Sequence, residues 1–576
     1  DKANEIDVET VTNEVDAFDI APSGRRAVIS TRGQILTIAT ERGDITRLAP
    51  DKMASRNDTP KWSPDGKYIA FISDRSGRDE VWISESESKN PKKITDLDNE
   101  KGALVWTPDS KALLYTAADK KLYSYSVADA KSTVITSTDL GRLGSIAVSP
   151  DSKWITFSKQ DRTVRPHVYI APIGGGEERH VSDDSLLYSE NNAVWTADGR
   201  YIVFTSAEGV SSGIASQGGL NPTMGLWALS LRDRDRDPTD RDIDNETQAL
   251  AAEAAARQNA ARGSGPGSAQ PVEVRIDWSG LARRARRIPV PGTVVTGLTP
   301  MPEGHAVAFT VFTAGGRGGR AAGASDPTSG MYIVNVESDQ QTRVPPAPPA
   351  AAGGGGGRGR GGAGGGFGGG SNMVFARDGR TLFFRSGSGL YAAAIPPNLA
   401  TGGQTAGAGG GGGGRGGGRG NAAAGGAENG PASATARQVT YTANLEVDRK
   451  ALRLQVFNEG WRIMKNRFYD GEMHGADWPA ARKMYEPLLD YLVDEEELHT
   501  VMMMMIGQLN ASHTGVSGGP AAAQRTLQTR HPGFDVVADP SGYYKVGHIY
   551  KDGPADRDYL KIKEGHYILS VDDHDL

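Results

Sequence analysis

Hydrophobic and polar positions in the first four hundred residues follow a repeated order. A hydrophobic or aromatic residue precedes Ser/Thr-Pro-Asp-Gly/Ser and a basic residue, and alternating strand-like positions follow. Strong copies lie at 62–66, 106–110, 148–152 and 195–199, and weaker copies at 22–24, 300–304 and 376–379. Because Pro and Asp favour a turn and Gly accepts a positive φ, each copy predicts a hairpin turn that leads into a strand.

The spacing of these seven anchors predicts a propeller. Successive anchors at Pro22, Pro64, Pro108, Pro150 and Ala197 are 42, 44, 42 and 47 residues apart. This is the length of one four-stranded propeller blade. Near-constant spacing with the same turn chemistry argues against a set of unrelated hairpins. The sequence therefore predicts a mainly β fold with a seven-bladed β-propeller over residues 1–442.

Four segments inside this region do not have the composition of a blade core. They lie at about 232–285, 314–325, 346–372 and 401–437, and are rich in Ala or in Gly with scattered Arg. Such segments cannot bury enough apolar surface to offset the entropy of ordering, so we predict mobile loop insertions. Their Arg-Gly tracts also resemble RNA-binding segments, but they have few aromatic residues and lie between blades, which favours spacers.

Beyond residue 443 the hydrophobic period becomes helical. Five large apolar residues fall on one predicted helix face: Leu454, Phe457, Trp461, Met464 and Phe468. A second helix is predicted around 485–493. A third is predicted over 495–509, with acidic residues that suit the dipole at its N-terminus. It leads directly into Ser512 and His513. This pattern predicts a separate helical domain over residues 443–520.

The order of motifs in this segment is similar to the first core domain of the tricorn proteases, relatives of the tail-specific serine proteases. The motifs are Trp461-Arg462, Phe468-Tyr469-Asp470, Met473-His474-Gly475-x-Asp477-Trp478, Glu497-Leu498 and Leu509-Asn510-Ala511-Ser512-His513-Thr514-Gly515. The propeller in front and a PDZ-like segment behind match the domain order of that family. The resemblance covers nearly the whole chain outside the predicted insertions.

The resemblance implies that His513 is the general base that deprotonates a serine hydroxyl. It also implies that Ser512 hydrogen-bonds within the same tetrad and orients the imidazole. A neutral imidazole can accept the hydroxyl proton and return it to the leaving amine. Without the family pattern, a single His after a helix is more often a surface or capping residue. His474 is the rival histidine, and its turn-like surroundings predict a buried or capping role.

Other chemistries are less well supported by the sequence. The pattern around Ser517 matches G-x-S-x-G, but no strand precedes it, so Ser517 is not predicted to be the nucleophile. The chain has no cysteine, which excludes disulfides, thiolate metal sites and cysteine nucleophiles. No second His or carboxylate has the i,i+4 spacing of a helical zinc motif, so we predict no metal site and no cofactor.

Residues 521–576 resemble a truncated PDZ domain of bacterial and archaeal proteases. In that family a Gly-Phe loop presents backbone amides to a peptide C-terminus, and a strand edge accepts the peptide. The resemblance places Gly533 and Phe534 at this loop. The family's second core domain, with the nucleophilic serine and the oxyanion-hole amides, has no counterpart up to Leu576. We therefore expect the complete protein to be longer than this chain.

The leading prediction is a serine peptidase that hydrolyses peptides or unfolded proteins by acyl-enzyme chemistry, with the propeller as a substrate gate or channel. Family resemblance implies a homo-oligomer, a hexamer. The alternative is a non-enzymatic propeller and PDZ scaffold that binds peptides or proteins. With a net charge of -6 and no long apolar run, neither a nucleic-acid nor a membrane partner is expected. We expect a soluble cytoplasmic protein, or a periplasmic or secreted one whose signal peptide has been removed.

Overall fold

The computed structural model describes thirteen ranges of the chain: 6–48, 55–86, 90–182, 189–208, 223–233, 272–312, 328–348, 373–396, 435–517, 531–551, 553–557, 559–571 and 574–575. The predicted Gly-rich and Ala-rich insertions lie mostly outside these ranges. Within them, the chain divides into two compact units, at residues 6–516 and 517–575. The predicted boundary between helical and PDZ-like domains, at 520/521, falls close to this division.

The first unit consists mainly of antiparallel sheets in which each strand pairs with the next. Sheet 1 contains β2 (Ala17–Ile20), β3 (Arg26–Thr31), β4 (Gln34–Ala39) and β5 (Thr46–Leu48). Sheet 2 contains β6 (Asn57–Trp62), β7 (Tyr68–Ser73), β8 (Glu80–Glu85) and β9 (Lys92–Lys93). Sheet 3 contains β10 (Lys101–Trp106), β11 (Ala112–Ala117), β12 (Lys121–Ser126) and β13 (Lys131–Ser137). Sheet 4 contains β14 (Gly144–Val148), β15 (Trp154–Gln160), β16 (Pro166–Pro172) and β17 (Arg179–His180).

The same order of strands continues through the next part of the chain. Sheet 5 contains β18 (Glu190–Trp195), β19 (Tyr201–Glu208), β20 (Thr223–Ser230) and β21 (Ala285–Ile288). Sheet 6 contains β22 (Val294–Pro300), β23 (Ala306–Phe312), β24 (Gly330–Asn335) and β25 (Gln341–Arg343). A single parallel pair, Met224 with Val294, joins sheets 5 and 6 into one eight-stranded sheet. Sheet 7 contains β26 (Met373–Phe375), β27 (Thr381–Ser386), β28 (Gly389–Ala394) and β29 (Arg437–Gln438).

Buried apolar residues join each sheet to the next. The last sheet also packs on the first, since Phe383 and Leu390 share a core cluster with Phe18 and Ile29. Buried residues do not alternate along the second strand of the first three sheets, since β3, β7 and β11 each have five consecutive buried residues. A sheet that packs against a neighbour on each side is buried on both faces, so the predicted period of two is wrong for these strands. The mainly β prediction and its four-stranded propeller blades are confirmed.

The repeated turns have the chemistry that their sequence predicts. In the copy at 62–66, the hydroxyl of Ser63 donates to Asp65 Oδ1 at 2.7 Å, and the amide of Lys67 donates to the same carboxylate at 3.1 Å. Gly66 has a φ of 76°. The pairs Thr107–Asp109, Ser149–Asp151 and Thr196–Asp198 repeat the first contact. Local side-chain bonds therefore shape these turns. The Asp65 amide also donates to Ser110 Oγ, at 3.0 Å, which links one turn to the next.

Two segments differ from the prediction. Residues 443–448, assigned to the start of the helical domain, belong to strand β30 (Thr442–Asp448), which pairs with β1 (Ile6–Thr12) near the start of the chain. Residues 272–285, assigned to an insertion, lie against sheets 4 and 5, where Val274 and Leu281 are buried. In both cases long-range packing decides the structure of a segment with a weak local pattern.

Three α-helices follow strand β30 in the described part of the chain. They are α1 (Arg449–Arg467), α2 (Trp478–Tyr485) and α3 (Glu495–Gly507), with short 3₁₀ turns at Leu281–Arg284, Met473–Gly475 and Glu486–Tyr491. The α-helix predicted around 485–493 is wrong, since those residues form the 3₁₀ turn Glu486–Tyr491 and the α-helix α2 lies before them. The second unit contains strands β31 (Phe534–Ala538), β32 (Tyr544–Ile549), β33 (Tyr567–Ile568), β34 (Ser570–Val571) and β35 (His574–Asp575). None of the helices in the described ranges has the length and apolar character needed to cross a bilayer.

A histidine between sheets 5 and 6 makes the stability of the first unit depend on pH. His305 Nδ1 lies 3.3 Å from Asp198 Oδ2, and its Nε2 lies 3.5 Å from Glu337 Oε2. The hydrogen bond with Asp198 raises the pKa of His305 above its ordinary value, against the effect of burial, and the charge of Glu337 adds to the increase.

Because the folded state holds this proton more tightly than the unfolded state, the stabilisation is complete below the unfolded pKa of about 6.5 and is lost as pH rises through the folded pKa. We expect His305→Gln to lower the melting temperature more at pH 6 than at pH 9, as measured by thermal denaturation. An equal loss at both pH values contradicts a contribution from the protonated ring.

Candidate active site

Helix α1 is attached to loops of sheets 2 and 3 by ion pairs. Arg462 Nη2 lies 2.6 Å from Asp74 Oδ2, and their side chains are only 13% and 3% exposed. Arg467 Nε lies 2.9 Å from Glu100 Oε1. The helix itself begins at Asp448, whose carboxylate accepts from the amide of Ala451 at 2.9 Å. The helical segment is therefore held at its N-terminus and along one face.

Loss of the Arg462 side chain is expected to weaken this attachment. In Arg462→Ala the buried Asp74 carboxylate loses its charged partner, which should destabilise the protein by about 1.5–3 kcal/mol. Lys465→Ala is the matched control, because Lys465 and Asp98 are 38% and 63% exposed and such pairs contribute about 1 kcal/mol or less. Thermal denaturation, combined with the rate of proteolysis within α1, measures both. Equal effects of the two variants would show that the buried pair is no stronger than the exposed one.

The helices pack around one apolar cluster. Phe457 and Met505 are fully buried at its centre. Trp461 and Trp478 lock α1 to the start of α2, because each indole N–H donates to the other residue's carbonyl oxygen, at 3.0 and 3.1 Å. The predicted apolar face of α1 is confirmed, since Leu454, Trp461, Met464 and Phe468 all pack against this cluster.

His474 contacts the segment that follows α3. Its Nδ1 lies 2.9 Å from the carbonyl oxygen of Leu509, and its Nε2 contacts the hydroxyl of Tyr469. His474 is exposed, so of the two roles predicted for it, buried or capping, the first is wrong. Its contact with Leu509 is that of a capping residue, because it satisfies a carbonyl just beyond the end of the helix.

Helix α3 is capped at its N-terminus, and the loop that contains Ser512 and His513 follows its C-terminus. Asp494 accepts from the amide of Glu497 at 2.9 Å, while the Glu497 carboxylate accepts from the amide of Val493 at 2.6 Å. This is close to a capping box. Beyond Gly507 the chain is secured by Leu509, which is fully buried. The hydroxyl of Thr514 then donates to the carbonyl of Ala511 at 3.1 Å.

His513 and Ser512 lie on this secured loop, and both are exposed. His513 has a φ of 61°, in the left-handed region that non-glycine residues rarely adopt. Among the described residues, neither its ring nor the Ser512 hydroxyl has a hydrogen-bond partner. The structure places the two side chains on the surface, next to each other in sequence, but does not join them by the predicted hydrogen bond. Ser517, four residues further on, lies in irregular structure with no strand before it.

Gly533 and Phe534 lie at the first strand of the second unit. Gly533 has a φ of 90°, and a Cβ atom there would come within 2.7 Å of the amide nitrogen of Ala555, so glycine is required. Its own N–H donates to His531 Nδ1 at 3.1 Å. Phe534 begins β31 and pairs with Ile549. The amide predicted to receive a peptide C-terminus is therefore engaged within the chain.

A cleft of about 200 Å³ lies between α1 and sheet 2. Its walls include Asp74 and Arg75 from the sheet side and Leu454, Trp461 and Arg482 from the helices. Neither Ser512 nor His513 lines it. Sequence reasoning did not predict this cleft or the ion pairs beside it, although the charged residues Glu459, Arg462 and Lys465, spaced three apart on α1, were a signal of a polar contact face.

Two family models match separate parts of the chain. The TolB beta propeller domain matches residues 59–238. The tricorn protease C1 domain matches residues 449–507, which cover α1 to α3. A propeller followed by this helical domain defines the class of protein: a propeller protein with a tricorn-type core domain.

Relatives of known sequence agree with this class. The chain is 23% identical over 396 residues to "Putative tricorn protease homolog 2" of Streptomyces coelicolor, a match that covers 67% of this chain and 29% of the relative. It is 26% identical over 152 residues to "Uncharacterized peptidase YuxL" of Bacillus subtilis, covering 26% of this chain and 22% of the relative. The chain thus spans less than a third of the length of these relatives.

The fold resembles a solved structure over nearly its full length. The crystal structure of the tricorn protease aligns with 98% of this chain and 49% of its own, with a TM-score of 0.63 and 12% sequence identity. The predicted resemblance to the tricorn proteases is confirmed by these matches. The C1 match ends at residue 507, before Ser512 and His513.

Proposed function

We propose that the protein is a serine peptidase that hydrolyses peptides or unfolded proteins, with His513 as the general base. The observation that carries this proposal is the position of His513. Its ring is exposed at the end of the α3 segment of a tricorn-type C1 domain, and has no hydrogen-bond partner among the described residues. A general base has to reach the proton that it removes, and a ring without a competing partner can do so.

The surrounding contacts support a positioning role for the loop. His474 holds the carbonyl of Leu509, and the burial of Leu509 anchors the chain four residues before His513. Ser512 is proposed to orient the imidazole in the assembled tetrad, where a hydroxyl beside the ring selects one tautomer. This contact requires a side-chain rotation relative to the described arrangement.

We assign no nucleophilic serine within residues 1–576. An acyl-enzyme needs an activated hydroxyl and donors for the oxyanion, and the family resemblance places these in a second core domain. In this proposal the present chain contributes the base, and the remainder of the active site comes from a further part of the protein.

Sheets 1 to 7 are proposed to be seven blades of one propeller that acts as a gate or channel for substrate. Seven anchors with similar turns support the blade count, and the packing of sheet 7 on sheet 1 supports closure. The proposed assembly is a homo-oligomer, a hexamer by family resemblance, in the cytoplasm.

The second unit is proposed to be PDZ-like and to bind peptide chains. Strands β31 and β32 form its central antiparallel pair. A C-terminal carboxylate at Gly533 and Phe534 would have to displace His531 from the Gly533 amide. Peptide binding along a strand edge needs no such displacement.

The test uses the complete natural protein. Hydrolysis of an unstructured fluorogenic peptide, together with covalent labelling by a fluorophosphonate that reacts with activated serines, is the expected result. Prior labelling should abolish hydrolysis. If the protein binds unfolded peptides but neither hydrolyses them nor takes up the label, the non-enzymatic scaffold is the better description.

A further inference from the structure

Three side chains that are distant in sequence from the α3 loop meet at the junction of sheets 4 and 5. His167 lies on β16, His180 on β17 and Glu190 at the start of β18. Each offers one ligand atom, and these atoms all lie within 4.8 Å of one another. Two imidazoles and one carboxylate form a donor set that occurs in zinc sites.

The ligand atoms of His180 and Glu190 lie slightly closer together than two adjacent ligands of a zinc ion, at the distance of a hydrogen bond. His180 Nε2 lies 3.1 Å from Glu190 Oε2. Two ligands with bonds of about 2.0–2.1 Å in a tetrahedral site are separated by about 3.3–3.5 Å. Glu190 Oε2 also accepts from the amide of Val168 at 3.1 Å, which fixes the orientation of the carboxylate.

Two polar atoms in this cluster are buried and have no partner among the described residues. They are Nδ1 of His167, a residue only 8% exposed, and Oε1 of Glu190, a residue that is fully buried. Ser182 Oγ is also buried and without a partner in the described part of the chain. By strand register it lies opposite His167, because Tyr169 pairs with His180. Unpaired buried polar atoms are costly, and a bound ion would satisfy them.

At the corresponding position between sheets 2 and 3, the buried charged groups are paired with each other. There Glu80, on the third strand, takes the place of His167, and Lys101, at the start of the next sheet, takes the place of Glu190. Lys101 Nζ lies 3.1 Å from Glu80 Oε2, and it donates to three backbone carbonyls as well. The charges are matched within the chain, so that site needs no ion. At the junction of sheets 4 and 5 no lysine takes this place, and the Glu190 carboxylate lies beside two imidazoles, which can be neutral.

A further carboxylate, that of Asp161, contacts the other ring nitrogen of His167. Asp161 Oδ2 lies 3.3 Å from His167 Nε2, which leaves Nδ1 as the ring atom available to a ligand. Metal-binding histidines commonly donate their second ring N–H to a carboxylate, which fixes the tautomer and increases ligand basicity. Asp161 therefore has the place of an outer-shell residue.

We propose that His167, His180 and Glu190 bind one Zn²⁺ ion at the junction of sheets 4 and 5, with a fourth position for water. The ion links the third and fourth strands of one sheet to the first strand of the next. Its role is to hold the two sheets together, and the proposal is independent of the peptidase activity.

The experiment measures Zn²⁺ binding to the purified protein after removal of metals with a chelator. Isothermal titration gives the stoichiometry and affinity, and thermal denaturation with and without Zn²⁺ gives the stabilisation. Three variants test the site: His180→Ala, Glu190→Gln and Asp161→Asn. His566→Ala is the matched control, because it removes an exposed histidine from the second unit.

Wild type and His566→Ala are expected to bind one Zn²⁺ that raises the melting temperature. Asp161→Asn should weaken binding by about 10–100-fold, and His180→Ala and Glu190→Gln by more than that. Since the His180 side chain is 22% exposed, His180→Ala keeps the test valid if Glu190→Gln does not fold. Equal Zn²⁺ affinity and stabilisation in wild type and His180→Ala overturn the proposal, as does the absence of a binding event in wild type.

Discussion

His513→Ala is expected to lower kcat/KM for peptide hydrolysis by about 10²–10⁴-fold, the usual contribution of a positioned general base. Without the imidazole, the serine hydroxyl has no acceptor for its proton in the transition state. KM should change little, because the base does not contribute to ground-state binding of the substrate. Steady-state kinetics with an unstructured peptide measure both parameters.

The control is His499→Ala, which removes another histidine from α3 and should leave kcat within about twofold of wild type, as expected for a residue outside the reaction. A melting temperature equal to that of wild type excludes misfolding of the His513 variant. If His513→Ala hydrolyses peptide at the wild-type rate, His513 is not the base, and the proton acceptor has to be sought elsewhere in the protein.

Lys101→Met is expected to destabilise the first unit by about 3–5 kcal/mol, because it removes the closest cation from the buried Glu80 carboxylate. The other cation, Arg78, lies further away, at 3.7 Å. Both side chains are 0% exposed and are 3.1 Å apart. Lys101 Nζ also donates to the carbonyls of Leu97 and Asn99, at 2.6 and 2.7 Å. Burial lowers the pKa of Lys101 below its ordinary value, while Glu80 opposes the change. Urea unfolding followed by tryptophan fluorescence gives the loss of stability.

The matched control is Lys111→Met. Lys111 is 83% exposed and lies 3.6 Å from Asp109, so its loss should change stability by no more than about 0.5 kcal/mol. The double variant Glu80→Gln/Lys101→Met should be less destabilised than the sum of the single variants, since removal of both charges leaves none uncompensated. Strict additivity would mean that the two groups do not interact.

Much of the candidate site was predictable because its signals are local. The apolar spacing along α1 and the acidic start of α3 predict the helices, and the motifs from Trp461 to Gly515 carry the resemblance to the tricorn proteases. The exposure of His474 and its bond to Leu509 were not predictable, because they depend on how the 3₁₀ turn at 473–475 folds back onto the end of α3. The attachment of α1 through Arg462 and Asp74 joins residues nearly four hundred positions apart.

The sequence by itself determined the repeated turns and the strands that follow them. Ser63, Asp65 and Gly66 bond mainly to each other or to immediate neighbours, so local side-chain chemistry favours the turn before the contact of the Asp65 amide with Ser110 is made. Tertiary structure alone decided which residues meet across sheets. The pairing of β1 with β30 and the gathering of His167, His180 and Glu190 both depend on packing between segments that no local period relates. The sequence gives no signature of the proposed zinc ligands, because helical spacing does not relate residues that come from three neighbouring strands.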